Sequence, residues 1–173
     1  HNGAREVVAV DVGYGQLAWS IRSDERVQVH DRTNIRDLSL EQIGDPVDLV
    51  VGDLSFISLT LVLPAIASVT SDDGEMSLMV KPQFEVGKDR VGKGGVVRDL
   101  DLRTEAVVDV AGFAASLGWG AQAVTTSPLP GPSGNVEFFL LLRRGPAEIG
   151  TSEITAEVER QAHLSASSGK VSE

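Results

Sequence analysis

Short apolar runs rich in β-branched residues recur along the chain, separated by longer stretches with helical spacing. Val7–Val10, Val27–His30, Val47–Val51, Met76–Val80, Ala121–Thr126 and Val136–Leu142 read as strands. Gln16–Arg22, Ile57–Val69 and Leu102–Leu117 read as helices between them. In the last of these, Leu102, Ala106, Val107, Val110, Phe113, Ala114 and Leu117 fall on one helical stripe. Strands that alternate with helices imply βαβ units and a mostly parallel sheet with helices on both faces. The fold class is therefore α/β. Ligands in such sheets bind beyond the carboxyl ends of the strands. The residues at those ends are Asp11, Asp31, Asp53 and Lys81, which places three carboxylates and a lysine on one rim.

The segment Pro82–Val97 reads as a glycine-rich loop, and Ser127–Gly134 (SPLPGPSG) as a turn-rich one. Residues 1–145 are expected to form one domain, and 146–173 a polar tail with a short helix at Ser152–Ala162 and disorder over Ser165–Glu173. The chain has 173 residues, the size of one domain. It lacks cysteine, so it has no disulfide or thiolate metal site, and its three histidines are scattered; no metal centre is expected. The longest apolar run, Leu59–Val69, falls short of the roughly 20 residues that span a bilayer. No signal peptide is visible, and a cytoplasmic location is expected.

Two motifs invite a functional reading. Gly13-Tyr14-Gly15-Gln16-Leu17-Ala18 follows a strand, and Asp31 lies 18 residues after Gly13, as in nicotinamide-binding proteins. Asp11, however, would set a carboxylate close to a bound pyrophosphate, which is unfavourable. An acid at a strand end has another use, since it can accept both ribose hydroxyls of an adenosine. The second motif is Asp53, Lys81 and Glu137, each at a strand edge. A lysine ending an apolar run needs a partner. Spacing alone leaves a structural ion pair and a catalytic group as equal readings.

Val10–Trp19 (VDVGYGQLAW), Asp48–Leu59 (DLVVGDLSFISL), Leu78–Lys88 (LMVKPQFEVGK), Gly92–Asp99 (GKGGVVRD) and Ser127–Leu140 (SPLPGPSGNVEFFL) together resemble the TlyA family, from about Ala4 to Arg143. These are S4-domain-containing rRNA methyltransferases with an FtsJ-like catalytic domain, often called haemolysins. The resemblance implies a Rossmann-like methyltransferase fold whose last strand is antiparallel. It implies S-adenosyl-L-methionine as cofactor and ribose 2′-hydroxyls of ribosomal RNA as substrate, with cytidine in both subunits expected. It makes Asp53, Lys81 and Glu137 three members of a Lys-Asp-Lys-Glu tetrad. In it Lys81 activates the hydroxyl, as a base when neutral or by polarising the oxygen when charged, and Asp53 and Glu137 orient Lys81 and the first lysine. The first lysine, the first strand with its glycine-rich loop, and the S4 domain would lie upstream of His1. The chain as it stands is therefore expected to bind cofactor poorly and not to turn over.

Under that reading Asp11, Asn34 and Asp53 are the cofactor contacts, Asp11 at the ribose hydroxyls. Asn34 serves equally well as a turn residue. Lys88, Arg90, Lys93 and Arg98 punctuate the glycine-rich loop and suit RNA phosphates, or a solvated surface. Phe84 stacks on a base or joins the core, and Trp19 and Trp119 are expected to pack. The net charge of −10 is unusual for an RNA-binding chain, and the S4 domain accounts for it by carrying the affinity. The competing readings are a pore-forming haemolysin, which the lack of a cationic amphipathic helix disfavours, and a nicotinamide-binding Rossmann protein.

Overall fold

The computed structural model describes residues 3–168, with the side chains of residues 132 and 163–168 excepted. Among the described residues six strands and six α-helices follow one another in the order β1 (Val7–Asp11), α1 (Trp19–Arg22), β2 (Val27–Asp31), α2 (Leu40–Ile43), β3 (Val47–Gly52), α3 (Leu59–Val69), β4 (Thr70–Val80), α4 (Pro82–Glu85), α5 (Leu100–Ser116), β5 (Trp119–Thr126), β6 (Phe138–Arg144) and α6 (Thr151–Ser168). β1 and β2 form a parallel pair. β3, β4, β6 and β5 form a second sheet in that order, in which only β6 runs against its neighbours. The reversed last strand agrees with the expectation.

The core lies on one face of the four-stranded sheet. Met76, Leu78 and Val80 of β4 and Phe138, Leu140 and Leu142 of β6 point toward it, alternating with less buried neighbours. Leu59, Val62, Leu63 and Ile66 of α3, Val107, Val110 and Ala114 of α5, and Ile154 and Val158 of α6 complete it. Pro64, which has no N–H to give to the α3 hydrogen-bond ladder, lies on the exposed side of the helix. The opposite face is less covered than expected. Leu49 and Val51 are exposed, and Met79, Phe139 and Leu141 are half-buried.

Three elements depart from the sequence reading. β4 begins six residues before Met76, at Thr70. Its partner in β3 jumps from Thr70, opposite Val47, to Glu75, opposite Leu49, so residues 71–74 bulge out of the ladder. The presumed polar tail contains an 18-residue helix whose Ile154 and Val158, four apart, enter the main core. Residues 165–168, expected to be disordered, continue that helix, while 169–173 and His1 lie outside the described residues. Trp119 packs as expected and is fully buried, but Trp19 is 78% exposed because α1 is a single turn that buries no residue.

Candidate active site

β3 and β4 are parallel neighbours, so the residues that follow them emerge side by side. Asp53 follows β3 and Lys81 follows β4. Lys81 Nζ lies 2.6 Å from Asp53 Oδ1 and donates to Ser55 Oγ at 3.1 Å. The lysine side chain is 9% exposed and the aspartate 68%. A desolvated ammonium thus reaches a carboxylate whose other side is open to solvent. Such a group can hold a hydroxyl oxygen and stabilise negative charge that develops on it.

Pro82 sits at the first position of α4, where its missing N–H costs nothing and its fixed φ favours the helical turn. That turn aims Gln83 inward, and Gln83 Nε2 donates to Glu137 Oε1 at 3.1 Å. Glu137 is 5% exposed and precedes β6 directly. The structure shows no contact of Glu137 with Lys81 among the described residues: Glu137 accepts from Gln83, and Asp53 and Ser55 are the groups on Lys81. The sequence separation of Gln83 and Glu137 hid this link. Gln83 Oε1 is buried and has no hydrogen-bond partner among the described residues.

Two of the three nominated cofactor residues, Asp11 and Asn34, lie at the carboxyl ends of the strands of the two-stranded sheet, whereas Asp53 follows β3 of the other. Asp11 ends β1, is exposed, and accepts from Gly13 N–H at 2.6 Å. Asn34 Oδ1 accepts from Arg36 N–H at 3.1 Å and caps a short 3-10 turn, the local role open to it from sequence. Asp31 is held by Arg22 at 2.6 Å, and that hydrogen bond keeps its carboxyl below the usual range. Tyr14 lies beneath the Arg22 and Arg32 guanidiniums, 5.7 and 4.7 Å from its ring centre.

Lys88, Arg90, Lys93 and Arg98 are all exposed. The loop that carries them is more ordered than its glycines suggest. Gly92 and Val96 form an antiparallel bridge, closed by Gly94 and Gly95 at φ 79° and 77°. Asn135 fastens the hairpin, accepting from Val97 N–H at 3.1 Å and donating to the Gly95 carbonyl at 2.8 Å. The nearly buried Arg103 of α5 donates to the Val97 carbonyl at 2.8 Å. Arg90 is committed to a two-pronged ion pair with Glu105, Nη2 to Oε2 at 2.7 Å. Lys88 and Lys93 flank Arg90 in the sequence and are exposed.

Phe56, which the sequence reading passed over, is 90% exposed and adopts a φ of 64°. A left-handed conformation is unfavourable for a bulky residue and persists only when its flanks impose it. Its ring meets that of Phe84 at 5.2 Å between centroids, three residues from Asp53. The signal available in the sequence was an aromatic residue between the two polar serines Ser55 and Ser58.

The profile of FtsJ-like methyltransferases matches residues 1–144. The 16S/23S rRNA (cytidine-2′-O)-methyltransferase TlyA of Mycobacterium tuberculosis is 62% identical over 141 residues, which are 82% of this chain and 53% of that protein. Hemolysin A of Brachyspira hyodysenteriae is 34% identical over 80% of the chain and 58% of its own length. The chain thus spans little more than half the length of these relatives. A solved structure from Streptococcus thermophilus, also carrying a hemolysin designation, superposes with a TM-score of 0.90 at 35% identity, covering 98% of this chain and 62% of that one. Among the described residues no helix is long and apolar enough to cross a membrane. The family profile and the closeness to TlyA place the chain in one group: it belongs to the FtsJ-like methyltransferase family.

Proposed function

We propose that this chain is the catalytic part of an S-adenosyl-L-methionine-dependent methyltransferase that modifies ribose 2′-hydroxyls of ribosomal RNA, cytidines of the small and large subunits among them. The observation that carries the reading is the buried Lys81 ammonium, paired with Asp53 at the carboxyl ends of two adjacent parallel strands, in a chain 62% identical to a cytidine-2′-O-methyltransferase.

Residues 1–145, with α6 packed on their core, form the methyltransferase domain in this reading, and an S4 domain adds RNA affinity. Asp11 fits a cofactor ribose: its carboxylate is exposed at a strand end, and one oxygen is already oriented by Gly13. Asn34 adds its amide at the adenine edge, and Asp53 faces the methionine end. The cofactor supplies a methyl group on a sulfonium, which is a good leaving group.

The chain's own residues do the rest. Lys81, held by Asp53 and Ser55, receives the ribose 2′-oxygen and stabilises the charge that develops on it as it attacks the methyl carbon, while the hydroxyl proton passes to water at the solvent-exposed side of Asp53. Glu137 and Gln83 form the neighbouring wall of the site. Alignment of such groups supplies about 7–11 kcal/mol of barrier reduction. Phe56 offers a ring face for the nucleobase. Lys88 and Lys93 contact backbone phosphates.

The test is transfer of labelled methyl from S-adenosylmethionine to unmodified rRNA by the full-length protein, with the product digested to nucleosides. Label in 2′-O-methylcytidine supports the reading. Label in a base-methylated nucleoside, or none, contradicts it.

A further inference from the structure

Three contacts, in matching sequence order, join segment 53–59 to segment 81–85. Lys81 reaches Asp53 and Ser55. Phe84 meets Phe56. Glu85 Oε2 accepts from Ser58 Oγ at 2.6 Å, and Glu85 Oε1 accepts from Leu59 N–H at 2.9 Å. The first contact holds the proposed reacting group and the second presents an exposed ring. The third touches neither, yet it engages a carboxylate at both oxygens.

A simple structural cap does not account for Glu85. Ser58 already caps α3 locally, accepting from Thr60 N–H at 3.2 Å. An acceptor for Leu59 N–H is needed as well, but here it comes from a segment 26 residues away. The carboxylate is half-buried, and desolvation raises its pKa, with Asp109 of α5 adding repulsion. The helix N-terminus and the Ser58 hydroxyl oppose that cost. Between the two anchors the chain passes through Phe56 in its left-handed conformation, which its flanks must enforce.

We propose that Glu85 is a positioning residue for methyl transfer: by gripping Ser58 and Leu59 it fixes the loop 53–58, and with it the place of Asp53 against Lys81. The proposal rests on the methyltransferase reading for its catalytic consequence, but its geometric part can be measured alone.

The experiment compares full-length wild type with E85A, E85Q and S58A. Glutamine keeps both contacts, since its carbonyl accepts from Leu59 and its amide donates to Ser58 Oγ. Alanine removes both. The readouts are the melting temperature, S-adenosylmethionine affinity by calorimetry, the single-turnover rate of methyl transfer to rRNA, and the Lys81 Cε signal in lysine-labelled protein. E85A is expected to slow transfer on the order of 10²-fold, to shift the Lys81 signal, and to weaken cofactor binding only as far as Asp53 at the methionine end is displaced, by much less than the loss of rate. E85Q is expected to restore both rate and signal. A folded E85A with the wild-type rate and Lys81 signal overturns the proposal, as does an E85Q that is no better than E85A. If E85A does not fold, S58A, which removes the Glu85 bond and the α3 cap together, is set beside S58D, which keeps an acceptor for Thr60 N–H but has no proton for Glu85. Loss of rate and Lys81 signal in both supports the proposal, and a wild-type rate and signal in S58D overturns it. A wild type that transfers no methyl sinks the methyltransferase reading alone, and the Lys81 signal still reports whether Glu85 positions it.

Discussion

The Glu137 carboxylate lies against the backbone of Gly131, in the space that a β-carbon at position 131 would fill. The turn that carries Gly131 is closed by its N–H on the Asn135 carbonyl at 2.9 Å, so the loop wraps back over the acid it shelters. Gly131→Ala therefore displaces the carboxylate or the loop. Overpacking of this kind costs about 1–3 kcal/mol. The expected outcome is a moderately lowered melting temperature with a much larger fall in methyl transfer. A variant with the wild-type rate would show that the position of Glu137 is immaterial.

Asp53 and Lys81 differ in burial, and that separates stability from activity. The aspartate is 68% exposed, so solvent screens the pair and Asp53→Asn costs little stability, about 1 kcal/mol or less. The amide cannot hold the ammonium in the same way. Activity is expected to fall by roughly 10²–10³-fold, as when one preorganised electrostatic contact is lost. Steady-state kinetics beside a thermal melt check both halves of this expectation.

Glu85 gives a pH signature. Burial raises its folded pKa above the ordinary glutamate value. Between the unfolded and the folded pKa the native state binds more protons than the unfolded state, so stability falls as pH rises through that window. Above it the cost is fully present. Glu85→Gln removes this contribution, and its stability is expected to fall less than that of wild type as pH rises from about 4.5, the ordinary value. Denaturant midpoints at several pH values measure the difference.

The four loop cations are not equivalent. Arg90 is tied to Glu105, whereas Lys88 and Lys93 are exposed on the same loop. Lys88→Ala and Lys93→Ala are each expected to lower the salt dependence of RNA binding by about one unit of slope. Arg90→Ala is expected to change that slope less and the melting temperature more. Binding isotherms at graded salt distinguish the three.

Much of this was legible because strands and the larger helices leave periodic traces. The runs ending at Asp53 and Lys81 are bounded apolar segments, and their parallel pairing follows from the intervening α3, so the pair at the rim could be anticipated. What stayed hidden was either short or long-range. α4 is four residues long, too short for a period to show. α6 places only Ile154 and Val158 in the core, and its polar composition masked them. Glu137 finds Gln83, and Arg90 finds Glu105, across separations that no local pattern encodes. Exposure of Trp19 and Phe56 runs against the burial that aromatic side chains usually achieve.

The central claim is that Lys81 serves the reaction rather than the fold. The most direct measurement is single-turnover methyl transfer to rRNA by the full-length protein and its Lys81→Ala variant, with cofactor affinity measured in parallel. The account predicts that the variant folds, keeps its affinity for S-adenosylmethionine, and loses transfer by on the order of 10²-fold or more. A folded variant that transfers methyl at the wild-type rate would contradict it, and would leave the Lys81–Asp53 pair as a structural bridge at the sheet rim.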